Sequence, residues 1–361
     1  MAIRGKIFVA LLLAIALVAL TPAFAAEKQS MGDAWWTGPL QTPNAGTIPK
    51  NHWYVETYFV AEQDNGSYGN GGTHYGANSV KGCATGIQCG YDNAYQMETL
   101  MTYGVTNKFN VQILTDFGGQ QGGSNSVAPA GTVVNGVPYS GVANENTLQG
   151  VNDFLTRIRL PYKLHGYKQG QMWPTFSIVP EVNIPTGRND HTLWTPGVGF
   201  WAIRPFWMPN GRILRIRASE DVWFPKSKNI SVNDFAECTV SNPHATTCNY
   251  EKGTYAKTQI GFEYSLTKKW VPAWDFVIGN YGGQQKFNGT KAMGVTGVTC
   301  VGNVCNTATG TLNTPMSFAI DPALEYNFTG NTGIIFGVEI TVAGTNNTSY
   351  IAPQIALQWF K

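Results

Sequence analysis

The chain has 361 residues with 24 Lys+Arg and 22 Asp+Glu, and at 13% its charged share is about half that usual in soluble globular proteins. So even a balance argues against a nucleic-acid partner, which demands a strong basic excess. Low charge, 12% aromatic residues and 41 Gly fit a barrel with aromatic girdles and Gly-rich loops.

The first residues read as an export leader. Arg4 and Lys6 precede an uncharged apolar run from Ile7 to Leu20, and Ala23-Phe24-Ala25 is a small-x-small cleavage site. A signal peptide is expected over 1–25, with the mature chain starting at Ala26. A membrane anchor is the rival, but the run is shorter than the roughly 20 apolar residues of a span. Without Arg4 and Lys6 the mature chain holds 22 cationic and 22 acidic residues, a formal net charge of zero. Residues 26–50 are expected to form a periplasmic N-terminal segment, and 51–361 an outer-membrane β-barrel. Within the segment, Ala34-Trp35-Trp36-Thr37-Gly38-Pro39-Leu40-Gln41-Thr42-Pro43 allows two placements. Its aromatics either plug the lumen or rest at the membrane interface, where Trp is enriched.

From there on apolar and polar residues alternate in segments of about ten to fourteen, the pattern of a transmembrane antiparallel up-and-down barrel. Twelve strands are expected, over residues 52–63, 94–105, 109–118, 152–164, 174–185, 195–207, 213–224, 254–266, 273–281, 316–328, 333–343 and 350–360. In the third, Phe109, Val111, Ile113 and Phe117 oppose Asn110, Gln112 and Asp116. In the eleventh, Ile334, Phe336, Val338, Ile340 and Val342 oppose Glu339 and Thr341. Apolar faces meet lipid and polar faces the lumen. Long connections rich in Gly, Ser and Asn alternate with short ones, as external loops alternate with periplasmic turns. The chain ends in alternating Ile351, Ile355, Leu357 and Trp359, then Phe360 and Lys361, which resembles the recognition signal of the barrel-insertion machinery. A soluble sandwich or β-helix is the rival fold, but a sandwich repeats at about 8–12 residues over a mostly apolar core. Here the strands are longer and one face of nearly every strand is charged.

All three cysteine pairs, Cys83/Cys89, Cys238/Cys248 and Cys300/Cys305, fall in expected external loops. An exported chain meets an oxidising compartment, so local disulfides are expected. The spacings match no common zinc pattern, no His follows at ligand spacing, and no cofactor motif occurs.

The lumen faces carry two walls. Arg157, Arg159, Lys163, Arg215, Arg217 and Lys257 form a basic one. Glu56, Glu98, Asp116, Asp275, Asp321, Glu325 and Glu339 form an acidic one, with Glu181, Asp221 and Glu263 as exceptions on the basic side. Opposed walls put a transverse field across a pore. The bland alternative is a salt-bridge network that fills the lumen, since a barrel of this size lies between filled small barrels and wide porins. Asp190-His191 sits in an external loop, but no base, orienter and activated group converge, so no enzyme is expected.

One stretch carries a family resemblance. Asp153 leads Phe154-Leu-Thr-Arg-Ile-Arg-Leu-Pro-Tyr-Lys-Leu164, and after a turn Phe176-Ser-Ile-Val-Pro-Glu-Val-Asn-Ile-Pro-Thr-Gly187 follows. This resembles the outer-membrane family named for the MetA pathway of phenol degradation, whose second strand tends to end Leu-Pro-Thr-Gly; Ile184 replaces that Leu here. The resemblance implies a barrel that helps hydrophobic or aromatic compounds across the outer membrane, with no agreed functional residues to carry over. The expected function is passage of small solutes. The alternatives are a structural or surface-interaction barrel with a plugged lumen and, behind it, an outer-membrane hydrolase. The expected partners are membrane lipid, the insertion machinery and a small solute, with the protein a monomer.

Overall fold

The computed structural model describes residues 29–76, 93–121, 133–134, 137–138, 148–149, 155–185, 193–231, 247–291, 293–302 and 304–361. The expected leader, Cys83, Cys89, Cys238 and the Asp190-His191 pair lie outside these residues.

Twelve strands form one closed antiparallel barrel. They are β1 (Trp53–Tyr68), β2 (Asn93–Thr106), β3 (Phe109–Gln121), β4 in two pieces (Leu155–Arg159 and Tyr162–His165), β5 (Thr175–Pro185) and β6 (Thr195–Trp207). Then follow β7 (Ile213–Trp223), β8 (Tyr255–Tyr264), β9 (Trp270–Gly282), β10 (Met316–Thr329), β11 (Thr332–Thr345) and β12 (Asn347–Phe360). Each strand pairs with the next. β12 closes onto β1 in a ladder from Tyr54↔Phe360 to Tyr68↔Asn347. Closure leaves no open edge, which a sheet spanning lipid cannot tolerate.

The expected fourth strand is broken. Pro161 has no N–H to give the ladder. Its carbonyl instead accepts from Asn110 N–H at 3.0 Å, while Leu160 N–H donates to Pro180 O at 2.9 Å, so the two pieces share one place in the barrel. At the other end of the chain, the expected six-residue connection between the last two strands shrinks to Asn346, held at φ 44°. Asn tolerates this left-handed conformation better than most residues, so β11 and β12 run on beyond the expected boundaries.

The period of two sorts the faces. Phe59, Ile113, Phe200, Ile260, Phe336, Ile355 and Leu357 point outward and are exposed. Near the short-turn end Trp53 packs at a tilt against Tyr103 at 4.7 Å and Trp270 against Tyr326 at 4.6 Å between ring centroids. Tyr95, Trp194 and Phe224 are exposed near the other end. These are the two girdles of an outer-membrane barrel. One carboxylate interrupts the apolar exterior: Glu220 stands between outward Phe200 and Thr258, and the hydroxyls of Thr258 and Tyr281 both donate to it.

On the long-loop side two small four-stranded sheets add to the barrel. One includes the hairpin Met293–Val301 and Val304–Thr311, where the cross-strand partners Cys300 and Cys305 are joined by a disulfide. Cys248 is disulfide-bonded as well.

Candidate functional site: the occupied lumen

The N-terminal segment lies inside the barrel. It enters at the short-turn end, where Gln29 N–H donates to Gly211 O at 2.9 Å and Trp207 Nε1–H to Gln29 O at 3.0 Å. Trp35 is held at the same rim by Lys268 O and Asn327 Nδ2, at 3.3 Å each. The chain then turns inward. Its return ends at that rim too, where Thr47 Oγ1 donates to Asn107 O at 2.8 Å and Lys50 N–H to Asn107 Oδ1 at 3.0 Å.

Between these ends the segment has no regular structure, so its backbone N–H groups need acceptors. Lumen carboxylates provide them. Thr37 and Gly38 N–H donate to Glu325 Oε2 at 2.7 and 3.2 Å. Gln41 N–H donates to Asp275 Oδ2 at 2.9 Å and Thr42 N–H to Asp275 Oδ1 at 3.1 Å. Pro39 and Pro43, lacking N–H groups, ask for nothing. The segment's carbonyls and amides meet the opposite wall. Gln259 Nε2 donates to Gln41 O at 2.8 Å, Arg217 Nη1 to Thr42 O at 3.4 Å and Lys257 Nζ to Gln41 Oε1 at 3.4 Å.

Apolar contacts fix the ends of the loop. Leu40 is buried against Ile335 and Ala356, and Ala45 against Val179, Trp201 and Ile203. Trp36 lies under the Arg215 guanidinium, 4.3 Å from its carbon to the ring centroid. Room is made by the barrel: a Cβ at Gly333 would come within 2.3 Å of Thr37 Oγ1, and one at Gly337 within 2.7 Å of Leu40.

The two walls differ from a simple plus facing minus. Glu263, fully buried, takes both Arg215 and Arg217, the latter through Nε at 2.8 Å. Arg159 pairs with Glu181 at 3.1 Å and lies over the Trp201 ring. Arg157 donates to Asn183 at 2.6 Å and lies over Trp223. Thus three of the wall's arginines are met by two carboxylates on their own side, Glu181 and Glu263. Lys163 stands apart, on the short piece of β4 beside Lys108.

The acidic wall is crowded. Asp275 is directly opposite Asp321, and Glu98 directly opposite Asp116. Such like-charged cross-strand pairs are unfavourable unless donors or cations serve them. The segment serves Asp275, and Gln354 Nε2 serves Asp321 at 3.4 Å. Tyr54 and Tyr350 hydroxyls donate to Glu56 and Glu339 at 2.7 and 2.8 Å. Among the described residues twelve carboxylates face inward (Glu56, Glu62, Asp64, Glu98, Asp116, Glu181, Asp221, Glu263, Asp275, Asp321, Glu325, Glu339) against Arg157, Arg159, Lys163, Arg215, Arg217 and Lys257. A cavity of about 370 Å³ remains beside the segment, bordered by Tyr58, Glu62, Glu98, Arg157 and Trp223.

Strand alternation identifies the charged wall residues in the sequence. It says nothing of the partners the segment supplies, because Thr37 to Thr42 carry no charge and no period. Trp201 and Trp223, which underlie the arginines, are also missed; their one signal is an aromatic at an inward position.

No family model matches the chain, and no curated protein matches it. Among solved structures it is similar to the COG4313 outer membrane channel from Pseudomonas putida F1, at a TM-score of 0.58 and 12% sequence identity, over 89% of this chain and 100% of that one. Looser likenesses are KdgM porin (TM-score 0.35, 9% identity, 84% of this chain and 98% of that) and NanC porin (0.38, 9%, 84% and 98%). The fold is that of a bacterial outer-membrane β-barrel. Its lipid-facing exterior and twin girdles put the chain in that membrane. Inside this outer-membrane barrel a neutral segment is seated on an acid-rich lumen.

Proposed function

We propose that the protein is a channel- or transporter-like barrel for small solutes, gated by its own N-terminal segment. The observation that carries this reading is how the segment is held. It is tied to the lumen by hydrogen bonds, two small apolar contacts and the Trp36 ring under Arg215, with no covalent link and no ion pair within residues 36–46. Hydrogen bonds of this kind exchange for water at small net cost, so the seat is strong enough to close the path and weak enough to release it. The similar fold of a protein described as an outer membrane channel supports the reading.

The test is conductance across a planar bilayer of the mature chain and of a variant lacking residues 26–47. Larger steps from the shortened chain support gating by the segment; equal steps from both would reject it.

A second reading, passage of apolar compounds through the wall, has its own observation. The β1–β12 ladder skips from Val60↔Gln354 to Gln63↔Ile351. Pro353, without an N–H, stands in the gap. Outside it Phe59, Ala61, Tyr95, Met97, Pro353 and Ile355 border an apolar groove of about 520 Å³ on the lipid side. Hydrophobic or aromatic compounds, the class implied by the MetA-pathway resemblance, suit this groove. Uptake of a phenol into vesicles by the full mature chain, abolished by a disulfide bridging β1 and β12 at the gap, would support it; uptake unaffected by that bridge would not.

A further inference from the structure

The short-turn end of the barrel is ringed by cations. Lys108 lies in the β2–β3 turn, Lys168 in β4–β5, Arg212 in β6–β7, Lys268 and Lys269 in β8–β9, and Lys361 closes β12. No Asp or Glu occurs in any of these turns. The long connections on the other side mix both signs, as in Lys81, Asp92, Arg188, Asp190, Lys226 and Glu237. These six cations are exposed except Arg212, Lys50 of the N-terminal segment adds an exposed seventh at the same rim, and none forms an ion pair among the described residues.

The ring sits at the level of a membrane interface. Met172 and Trp173, in the same turn as Lys168, are 77% and 73% exposed, and Trp270 and Trp359 are exposed beside Lys269 and Lys361. Aromatic belts of this kind lie at headgroup depth, and lysine stems reach along apolar surface to bring the ammonium there. The Lys268-Lys269 turn is rigidly built: Thr267 Oγ1 accepts from Lys269 N–H at 3.2 Å, and Lys269 O accepts from Asn327 N–H at 2.9 Å. Its ammonium groups lie over the rings of Trp35 and Tyr326, at 4.7 and 5.9 Å from the centroids.

We propose that this rim is a binding surface for anionic phospholipid headgroups of the inner leaflet. Cations that outnumber the one described acid on this rim, Asp33 of the N-terminal segment, and that sit among interfacial aromatics match a phosphate that carries an uncompensated charge. The match is poorer for a zwitterionic headgroup, whose own amine repels the ring. The Lys268-Lys269 turn that meets the lipid is also the turn that holds Trp35 at the mouth of the lumen.

The experiment reconstitutes the full mature chain into phosphatidylcholine vesicles and measures, by spin-label resonance, retention of labelled phosphatidylglycerol against labelled phosphatidylcholine. It compares the wild type with the K168Q/K268Q/K269Q/K361Q variant, whose folding is checked by its gel shift on boiling. A preference for phosphatidylglycerol on the order of tenfold at low salt is expected, reduced by salt and by the variant. Equal retention of both lipids by the wild type overturns the proposal, as does a preference the variant keeps. Tight capture of soluble polyphosphate without any lipid preference also overturns it, in favour of a periplasmic polyanion.

Discussion

The backbone N–H and the hydroxyl of Thr42 both donate to Oδ1 of Asp275, at 3.1 and 2.5 Å, in the buried interior of the barrel. With Gln41 N–H on Oδ2 at 2.9 Å, this one carboxylate receives three donors from the segment. Hydrogen bonds to an ionised acceptor are about twice as strong as neutral ones. Asp275→Asn keeps the shape but replaces one acceptor oxygen with a donor and removes the charge. It should weaken the seat by about 2 kcal/mol, which raises the released fraction on the order of 30-fold. Single-channel recording would show this as a rise in open probability, and an unchanged open probability would mean the segment is held elsewhere.

Glu263 is the common partner of two buried guanidiniums. Glu263→Gln leaves the largely buried Arg215 and Arg217 without their counter-charge. The expected destabilisation is about 3–5 kcal/mol, read from urea unfolding followed on gels. Loss of less than about 1 kcal/mol would show that water reaches the pair and screens it.

The inward-facing carboxylates outnumber the cations, and Arg159, Arg215 and Arg217 are each held by a carboxylate on their own side. Any ionic current through the lumen should therefore favour cations. In a potassium chloride gradient the reversal potential should have the cation sign. It should shrink in Glu62→Gln/Glu98→Gln, which alters the cavity wall, and grow in Arg157→Gln, since Arg157 is bonded to Asn183 rather than to a carboxylate. An anion-selective current is the result that would refute this charge reading.

On the outer face, Glu220 depends on the hydroxyls of Thr258 and Tyr281 for its comfort in lipid. Tyr281→Phe removes one donor and should destabilise the barrel by about 1–2 kcal/mol. Tyr281→Phe/Glu220→Leu should recover most of that loss, because no carboxylate is then left facing lipid. A double variant less stable than the single one would mean the carboxylate has a favourable partner of its own.

The barrel was legible because its signal is local and repeated. In β11, Ile334, Phe336, Val338 and Ile340 against Glu339 and Thr341 state both the strand and its faces. The break at Pro161 is visible as a residue but not as a consequence, since the groups that rescue it lie on neighbouring strands: the Asn110 N–H of β3, which donates to Pro161 O, and the Pro180 carbonyl of β5, which accepts from Leu160 N–H. The charges of the walls were readable one strand at a time. How far they cancel was not, because Arg159 meets Glu181 and Arg215 meets Glu263 only once register is fixed. The segment's place was the least legible feature. Either position suggested for its tryptophans fitted the composition; the fold seats Trp36 in the lumen under Arg215 and Trp35 at its mouth beside Lys268.

The contacts of Thr37 and Thr42 reach 288 and 233 residues along the chain, to Glu325 and Asp275. Those acceptors do not exist as a site until β9, β10 and β11 have been laid side by side. The residues nearest the beginning are thus the last that can take up their native positions, whatever the order in which the strands are added. During insertion the lumen must stand unoccupied for a time. On the gating reading proposed above, seating the segment is accordingly the last step of assembly and the one that narrows the lumen.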